Sequence, residues 1–103
     1  MKNAVGYARV STQEQVSNSS LPHQKRSISD FCLNSELSLK RLFCDEGKSA
    51  WSQKTREELQ KMLDYCRIKS NEIKFVVVYH PDRFARNLEE HVRYTKELNR
   101  LGI

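Results

Sequence analysis

The sequence has no apolar run near the ~20 residues that a membrane-spanning helix requires. Its N-terminal segment also lacks the long apolar core of a secretory signal peptide. Cysteine is scarce: Cys32, Cys44 and Cys66 are widely spaced, and none belongs to a C-x-x-C pair that would indicate zinc or redox chemistry. We therefore expect a cytoplasmic protein with reduced, partly buried thiols and with no metal or cofactor.

The sequence also lacks a glycine-rich loop for binding nucleotide phosphates. Gly47, Lys48 and Ser49 resemble the end of a P-loop, but that motif requires another glycine five residues before Gly47, where Leu42 stands. The first apolar segment ends in Arg-Val-Ser instead of the acidic pair that would hold magnesium beside a phosphorylated Asp45. These absences count against a small-molecule phosphotransferase and against a receiver domain.

The charge balance is compatible with a polyanionic partner but does not identify one. The sequence contains 18 Lys and Arg residues and 13 Asp and Glu residues, which gives a formal net charge of +5 and a pI near 9.3. At 103 residues, the chain has the length of one domain, and we assign residues 1–103 to it.

An arginine and a serine stand together at the end of the first predicted strand. Apolar and other residues alternate from Lys2 to Val10, so Arg9 and Ser11 project from one face, about 6.5 Å apart along the strand. Arginine grips phosphate oxygens bidentately, which favours serine chemistry at a phosphate over chemistry at an acyl group. The alternative is a strand end followed by a surface Ser-Thr cap.

Strand and helix patterns alternate along the chain, which predicts an α/β fold with a parallel sheet. Strands are predicted at 2–10, 37–45 and 73–79, and the nearly continuous apolar run of the third is typical of a central strand covered on both faces. Helices are predicted after Ser20, after the capping-box pair Thr55 and Glu58, and from Asp82 to Leu101. Their predicted buried faces are Gln24, Ile28, Phe31, Cys32 and Ser35; Leu59, Met62, Leu63 and Cys66; and Phe84, Leu88, Val92, Thr95 and Leu98.

Polar and charged residues follow each predicted strand. Ser11, Asp45 and the pair Asp82 and Arg83 come after the first, second and third strands, and ligand sites in parallel sheets form beyond these ends. Arg56 is predicted in the first turn of the second helix, facing the loop. Arg83 and Arg86 are predicted on one side of the final helix start, where the helix dipole favours an anion, although a solvated charged turn is the alternative.

Several segments resemble the serine recombinases, the resolvase and invertase family. They are Tyr7-Ala8-Arg9-Val10-Ser11-Thr12 followed by Gln15, Leu21-Pro22-His23-Gln24, Phe43-Cys44-Asp45-Glu46-Gly47-Lys48-Ser49-Ala50, and Asp82-Arg83-Phe84-Ala85-Arg86-Asn87. The loop between Thr12 and Gln24 is longer than in the small resolvases and is more similar to the large serine recombinases of mobile elements.

This resemblance implies a resolvase-like catalytic domain, a three-layer α/β/α fold with a mainly parallel central sheet. It implies site-specific DNA recombination in which Ser11 attacks a backbone phosphate and forms a 5′-phosphoserine link. The implied site residues are Ser11, Arg9, Arg83, Arg86, Asp82, Asp45 and Arg56, supported by Tyr7, Gln15 and Gln24, with Arg9, Arg56, Arg83 and Arg86 contacting DNA. The alternative is a non-catalytic DNA-binding or regulatory module with the same fold.

The resemblance also implies partners. We expect double-stranded DNA that carries a recombination site, a homodimer and tetramer of the full-length protein, and no membrane partner. Residues 98–103 read as a helix end before a further strand. We therefore expect a domain truncated at its C-terminus, with the dimerisation helix and the DNA-binding domain of the family outside residues 1–103, and only weak, salt-sensitive DNA binding by these residues alone.

Overall fold

A computed structural model describes residues 1–11, 21–47, 56–80, 84–85 and 87–103. Strands and helices alternate in these residues, as predicted. The strands are β1 (Lys2–Ser11), β2 (Leu37–Gly47) and β3 (Ile73–Val78), and the α-helices are α1 (Leu21–Asn34), α2 (Glu57–Arg67) and α3 (Leu88–Arg100). A single 3-10 turn, Lys69–Asn71, joins α2 to β3.

The described strands form a parallel sheet in the order β2-β1-β3, so β1 lies in the middle. The prediction that β3 would be the central, doubly covered strand is therefore wrong for the described part of the chain. Its Phe75 is 41% exposed, whereas Val5 and Ala8 of β1 are fully buried. Small and apolar side chains let β1 pack closely on both faces, which an apolar run alone does not guarantee.

The alternation along β1 divides the core into two layers. Val5 and Tyr7 pack with Phe43 and with side chains of α2 and α3 on one face. Ala4, Ala8 and Val10 pack with α1 on the other face. Helices thus cover both faces of a parallel sheet, and the predicted three-layer α/β/α fold is confirmed.

Gly6 allows α1 to approach the sheet closely. A Cβ atom added there would lie 2.4 Å from Leu42 Cδ1 and 2.8 Å from Ile28 Cγ2, both well inside van der Waals contact. Since a strand glycine often marks a close approach of another element, this residue sets the distance between β1 and α1.

The buried face of α1 is narrower than predicted. Gln24, Ile28 and Cys32 are buried together with Leu21, but Phe31 is 54% exposed. Ser35 is exposed and lies beyond the end of the helix. The i, i+4 line that contacts the sheet excludes Phe31, which is rotated away from the core.

The buried face of α2 was predicted correctly. Leu59, Met62, Leu63 and Cys66 are all buried. The predicted start of this helix is wrong, because Arg56 precedes the helix instead of lying in its first turn, and the Glu58 amide donates to Asp45 instead of to the predicted cap Thr55, which lies outside the described residues.

Two features of the predicted final helix are wrong. Helix α3 begins at Leu88 because Asn87 caps it, its Oδ1 accepting a hydrogen bond from the Glu90 amide at 2.9 Å. Leu88 and Val92 are 77% and 44% exposed, and the core-facing residues are Glu90, Tyr94 and Leu98. The contacts of Glu90 described below turn this face inward.

None of the helices within the described ranges is long and apolar enough to cross a membrane.

Candidate functional site

The ends of β1 and β2 lie side by side, as the sequence predicts. Arg9 is paired in register with Asp45, and the backbone of Ser11 is paired with Gly47. Ser11 is the last residue of the central strand and lies at the carboxyl edge of the sheet, where ligand sites form in parallel sheets. Arg9, on the same strand, is partly buried.

The predicted site residues differ in how much of them the structure describes. Side chains are described for Tyr7, Arg9, Gln24, Asp45 and Arg56, and for Ser11 only the backbone is described. The remaining predicted residues, Gln15, Asp82, Arg83 and Arg86, lie outside the described residues.

Gln24 anchors α1 to the end of β1. Its fully buried side chain accepts a hydrogen bond from the Arg9 amide at 3.3 Å and donates one to the Arg9 carbonyl at 3.1 Å. A single amide side chain thereby satisfies both backbone groups of Arg9, two residues before Ser11. The supporting role in catalysis that the resemblance implies for Gln24 stays a prediction, and the structure shows that Gln24 holds the backbone of Arg9.

Asp45 joins β2 to the start of α2. Its Oδ1 accepts a hydrogen bond from the Glu58 amide at 2.9 Å, and its Oδ2 accepts one from the Leu59 amide at 3.1 Å. Helix N-termini leave amides without helical partners and favour negative charge, so a carboxylate is well placed there. The second strand thus supplies a cap for the second helix.

Tyr7 contributes a hydroxyl to the same carboxylate. Its Oη donates a hydrogen bond to Asp45 Oδ2 at 2.6 Å. Burial raises the pKa of the Tyr7 hydroxyl, the hydrogen bond to Asp45 raises this pKa further, and the charge of Arg56 partly opposes the rise. Tyr7 is therefore a protonated hydrogen-bond donor in the folded protein.

Arg56 points into the protein. It is 1% exposed, and its Nη1 lies 2.9 Å from Glu90 Oε1. Its Nε and Nη2 lie 3.4 Å and 3.3 Å from Tyr7 Oη, and Nη2 also donates to the carbonyl oxygen of Phe84. The predicted orientation of Arg56 toward the loop is wrong, because the buried carboxylate of Glu90 holds the guanidinium inside.

Glu90 is a residue of this network that the sequence interpretation missed. The predicted apolar stripe of the last helix placed it on the solvent face, yet it is only 8% exposed. The pattern from Asn87 to Glu90 has the N-x-x-E spacing of a capping box and could have marked the helix start. It could not have revealed the ion pair with Arg56, 34 residues earlier.

These contacts form one buried network, which we call the Tyr7 network. It consists of Asp45, Tyr7, Arg56 and Glu90. It connects the end of β2, the middle of β1, the residue before α2 and the first turn of α3. Buried charges are tolerated when they are paired and hydrogen-bonded, as here, and such a network holds the elements around the strand ends in one arrangement.

The described ranges contain no group of His, Cys, Asp or Glu side chains that could hold a metal ion.

Comparisons with known proteins agree with this fold. The sequence profile of the family described as "Resolvase, N terminal domain" matches residues 4–103. A search of curated proteins returned no match.

Several solved structures are similar to the chain. The N-terminal catalytic domain of TP901-1 integrase is 19% identical with a TM-score of 0.80, over 99% of this chain and 73% of that one. A resolvase family site-specific recombinase from Streptococcus pneumoniae is 24% identical with a TM-score of 0.84, over 99% of this chain and 68% of that one. The C-terminal catalytic domain of ISC1926 TnpA, an IS607-like serine recombinase, is 20% identical with a TM-score of 0.78, over 97% of this chain and 63% of that one.

These likenesses show a shared fold, and the chain spans between 63% and 73% of the length of the three structures. The family profile covers nearly the whole chain, including the strand end with Arg9 and Ser11. The chain therefore belongs to the family of the resolvase N-terminal domain.

Proposed function

We propose that this chain is the catalytic domain of a serine recombinase, which cuts and rejoins DNA at a specific site with Ser11 as its nucleophile. The observation that carries the proposal is the position of Ser11 at the carboxyl end of the central strand, in a chain that matches the resolvase family. The similar structures, which include an integrase, a site-specific recombinase and a serine recombinase, support the same activity.

The proposed reaction is a phosphoryl transfer without net hydrolysis. The Ser11 Oγ forms a bond to the phosphorus, the bond from phosphorus to the 3′ oxygen breaks, and the serine keeps the 5′ phosphate. The serine proton passes to a base, and the departing 3′ oxygen takes up a proton to become a hydroxyl. Because one phosphodiester replaces another, a 3′ hydroxyl can reverse the step and rejoin a strand.

Arginines supply the charge stabilisation that this transfer requires. Phosphoryl transfer depends mainly on positioning and on stabilising negative charge in the transition state. We assign Arg9, Arg83 and Arg86 to the phosphate, because planar guanidinium groups match its oxygens. We assign Asp82 to orienting these arginines or moving a proton, and Gln15 to a supporting role.

We assign the remaining predicted residues to positioning the groups around the phosphate. Gln24 holds the backbone of Arg9, and Asp45 holds Tyr7 and the start of α2. Arg56 was predicted to contact DNA, but its burial supports a positioning role within the Tyr7 network.

The substrate and the assembly follow from the reaction. Double-stranded DNA that carries a recombination site is the proposed partner. Exchange between two duplexes requires each of their strands to be cut by its own Ser11, which argues for a tetramer assembled from dimers. A cytoplasmic location, where such DNA is found, is part of the same proposal.

A nicked suicide duplex tests the proposal. Its crossover site is first mapped by footprinting the intact protein on the DNA that flanks its gene, and a nick near the cut lets a fragment diffuse away and trap the covalent intermediate. We expect an adduct with the wild type and none with Ser11→Ala, which still binds DNA. Ser35→Ala, which changes an exposed serine in the turn between α1 and β2, is the matched control and should form the adduct normally.

Two outcomes would contradict the proposal. An adduct formed by Ser11→Ala would mean that another residue is the nucleophile. Specific DNA binding by a wild-type protein that forms no adduct would identify the chain as a non-catalytic module with the resolvase fold.

A further inference from the structure

Glu90 is a buried carboxylate in an otherwise exposed helix turn. Its neighbours Leu88, Glu89 and His91 are exposed, but Glu90 is only 8% exposed. Removing a carboxylate from water is strongly unfavourable unless a partner compensates for the lost hydration. The burial of Glu90 therefore requires a partner that compensates for the lost hydration.

The partner of Glu90 occupies an uncommon backbone conformation. Arg56 has a φ of 48°, in the left-handed region that side chains other than glycine rarely adopt. Such a conformation is energetically unfavourable and persists only when the surrounding contacts hold it. The ion pair with Glu90 at 2.9 Å is one of these contacts, and it sets the direction in which the guanidinium plane lies.

The guanidinium group of Arg56 also contacts the segment that includes the predicted phosphate-binding arginines. Arg56 Nη2 donates to the carbonyl oxygen of Phe84, and Phe84 lies one residue after Arg83 and two before Arg86. Consecutive Cα atoms are about 3.8 Å apart, so displacement of the Phe84 carbonyl is expected to affect residues that neighbour it in the sequence. The same nitrogen lies 3.3 Å from Tyr7 Oη, which connects this point to Asp45.

We propose that Glu90 is a positioning residue of the recombinase site: through Arg56 it holds the Phe84 carbonyl and thereby the backbone between Arg83 and Arg86. This inference rests on the proposed function. Glu90 contacts neither DNA nor the reacting atoms in this account. Its effect on the rate is indirect, through the placement of the arginines that bind the phosphate.

A second ion pair between the α2 region and α3 provides a matched control. Glu97 of α3 accepts a hydrogen bond from Arg67 Nε at 2.8 Å, at the end of α2 that is farthest from Arg56. Both pairs join a glutamate of α3 to an arginine next to or within α2. Of these two pairs, only the one between Arg56 and Glu90 is hydrogen-bonded to Phe84. If Glu90 only joined the helices, replacing it should affect the rate of cleavage no more than replacing Glu97 does.

The test compares Glu90→Gln with Glu97→Gln in the intact protein on the nicked suicide duplex. Single-turnover kinetics separate the amplitude, which counts molecules that are folded and competent, from the rate constant, which reports how well each competent molecule is organised. We expect Glu90→Gln to lower the rate constant on the order of 10- to 100-fold with DNA affinity and amplitude unchanged, since misplacement by about 1 Å costs this much. Glu97→Gln should keep the wild-type rate constant.

A double variant tests whether Glu90 acts through Arg56. In an Arg56→Lys background the guanidinium fork is already lost, so adding Glu90→Gln should cause no further loss of rate. Additive losses would mean that Glu90 acts by another route and would overturn the proposal.

The remaining outcomes are distinct. A wild-type rate constant in Glu90→Gln, or a loss confined to its amplitude, would reduce Glu90 to a structural residue and overturn the inference while leaving the recombinase proposal intact. Absence of an adduct with the wild-type protein would overturn the recombinase proposal itself, and this inference with it.

Discussion

The hydroxyl of Tyr7 donates a hydrogen bond to Asp45 Oδ2 at 2.6 Å, although the two residues are 38 positions apart in the sequence. The same carboxylate accepts hydrogen bonds from the amides of Glu58 and Leu59. One side chain thus connects the central strand, its neighbouring strand and the second helix. This contact lies just behind the strand ends where Arg9 and Ser11 are found.

Tyr7→Phe should destabilise the protein by about 1 to 3 kcal/mol. The variant keeps the ring but removes the hydroxyl, so Asp45 Oδ2 loses one of its two hydrogen-bond donors and the Arg56 guanidinium loses one of its buried acceptors. Urea unfolding followed by circular dichroism measures the change. Tyr65→Phe, at a half-buried position on α2, is the matched control and should stay within about 0.5 kcal/mol of the wild type. Equal stability of the wild type and Tyr7→Phe would show that the hydroxyl contributes nothing.

Gly6→Ala should push α1 away from the sheet. The added methyl would lie 2.4 Å from Leu42 Cδ1 and 2.8 Å from Ile28 Cγ2, and overpacking of this kind costs about 1 to 3 kcal/mol. The buried thiol of Cys32, on the same face of α1, should then react faster with a thiol reagent. Gly102→Ala, which meets no atom within 4 Å, should leave the reactivity of Cys32 unchanged, although its φ of +83° makes it mildly destabilising. Unchanged reactivity in Gly6→Ala would mean that α1 tolerates the methyl in place.

The parts of the fold that could be predicted from the sequence are those set by local periodicity. The alternation along β1 correctly indicated a strand, and the stripe from Leu59 to Cys66 correctly indicated the buried face of α2. Both patterns arise because neighbouring side chains along one element share the same environment. The convergence of the ends of β1 and β2 also followed, since parallel strands place their carboxyl ends at one edge.

The parts that could not be predicted depend on pairs of distant residues. Glu90 is buried in an ion pair with Arg56. The sequence around either residue does not predict its contact with the other. Leu88 and Val92 were expected in the core because they are apolar, but the face with Glu90 and Tyr94 turns inward in their place. The predicted hydrophobic stripe was therefore correct at Phe84 and Leu98, which are buried, and wrong at Leu88 and Val92.

Because of Cys66, the stability of the protein should decrease as the pH rises through the alkaline range. Burial raises the pKa of its thiol from 9.0 to about 11. The folded state therefore keeps the proton while the unfolded state loses it, so the contribution to stability is full below pH 9 and falls as pH rises toward 11. A shift of this size corresponds to between about 2 and 3 kcal/mol. Unfolding free energies of the wild type and Cys66→Ala, measured from pH 8 to pH 10.5, should converge as pH rises, and parallel curves would contradict the prediction.

Replacing Arg83 or Arg86 with lysine should lower DNA cleavage far more than DNA binding. Lysine keeps the charge but loses the planar fork that matches phosphate oxygens, so the loss should appear mainly in the transition state. Binding titrations and single-turnover cleavage on the same duplex measure the two effects. Equal losses in binding and cleavage would make both residues ordinary backbone contacts.

In the proposed reaction Ser11 becomes covalently linked to DNA, and identifying the linked residue distinguishes Ser11 from any other nucleophile. The adduct trapped on a nicked duplex is digested with nuclease and trypsin, and the peptide that carries the remaining nucleotide is sequenced by mass spectrometry. Trypsin separates the candidates, because cleavage after Lys2, Arg9 and Lys25 places Tyr7 in the peptide 3–9 and Ser11 in the peptide 10–25. We expect a 5′-phosphate ester on Ser11 itself, and a nucleotide on Tyr7 or on any other residue would show that Ser11 is not the nucleophile.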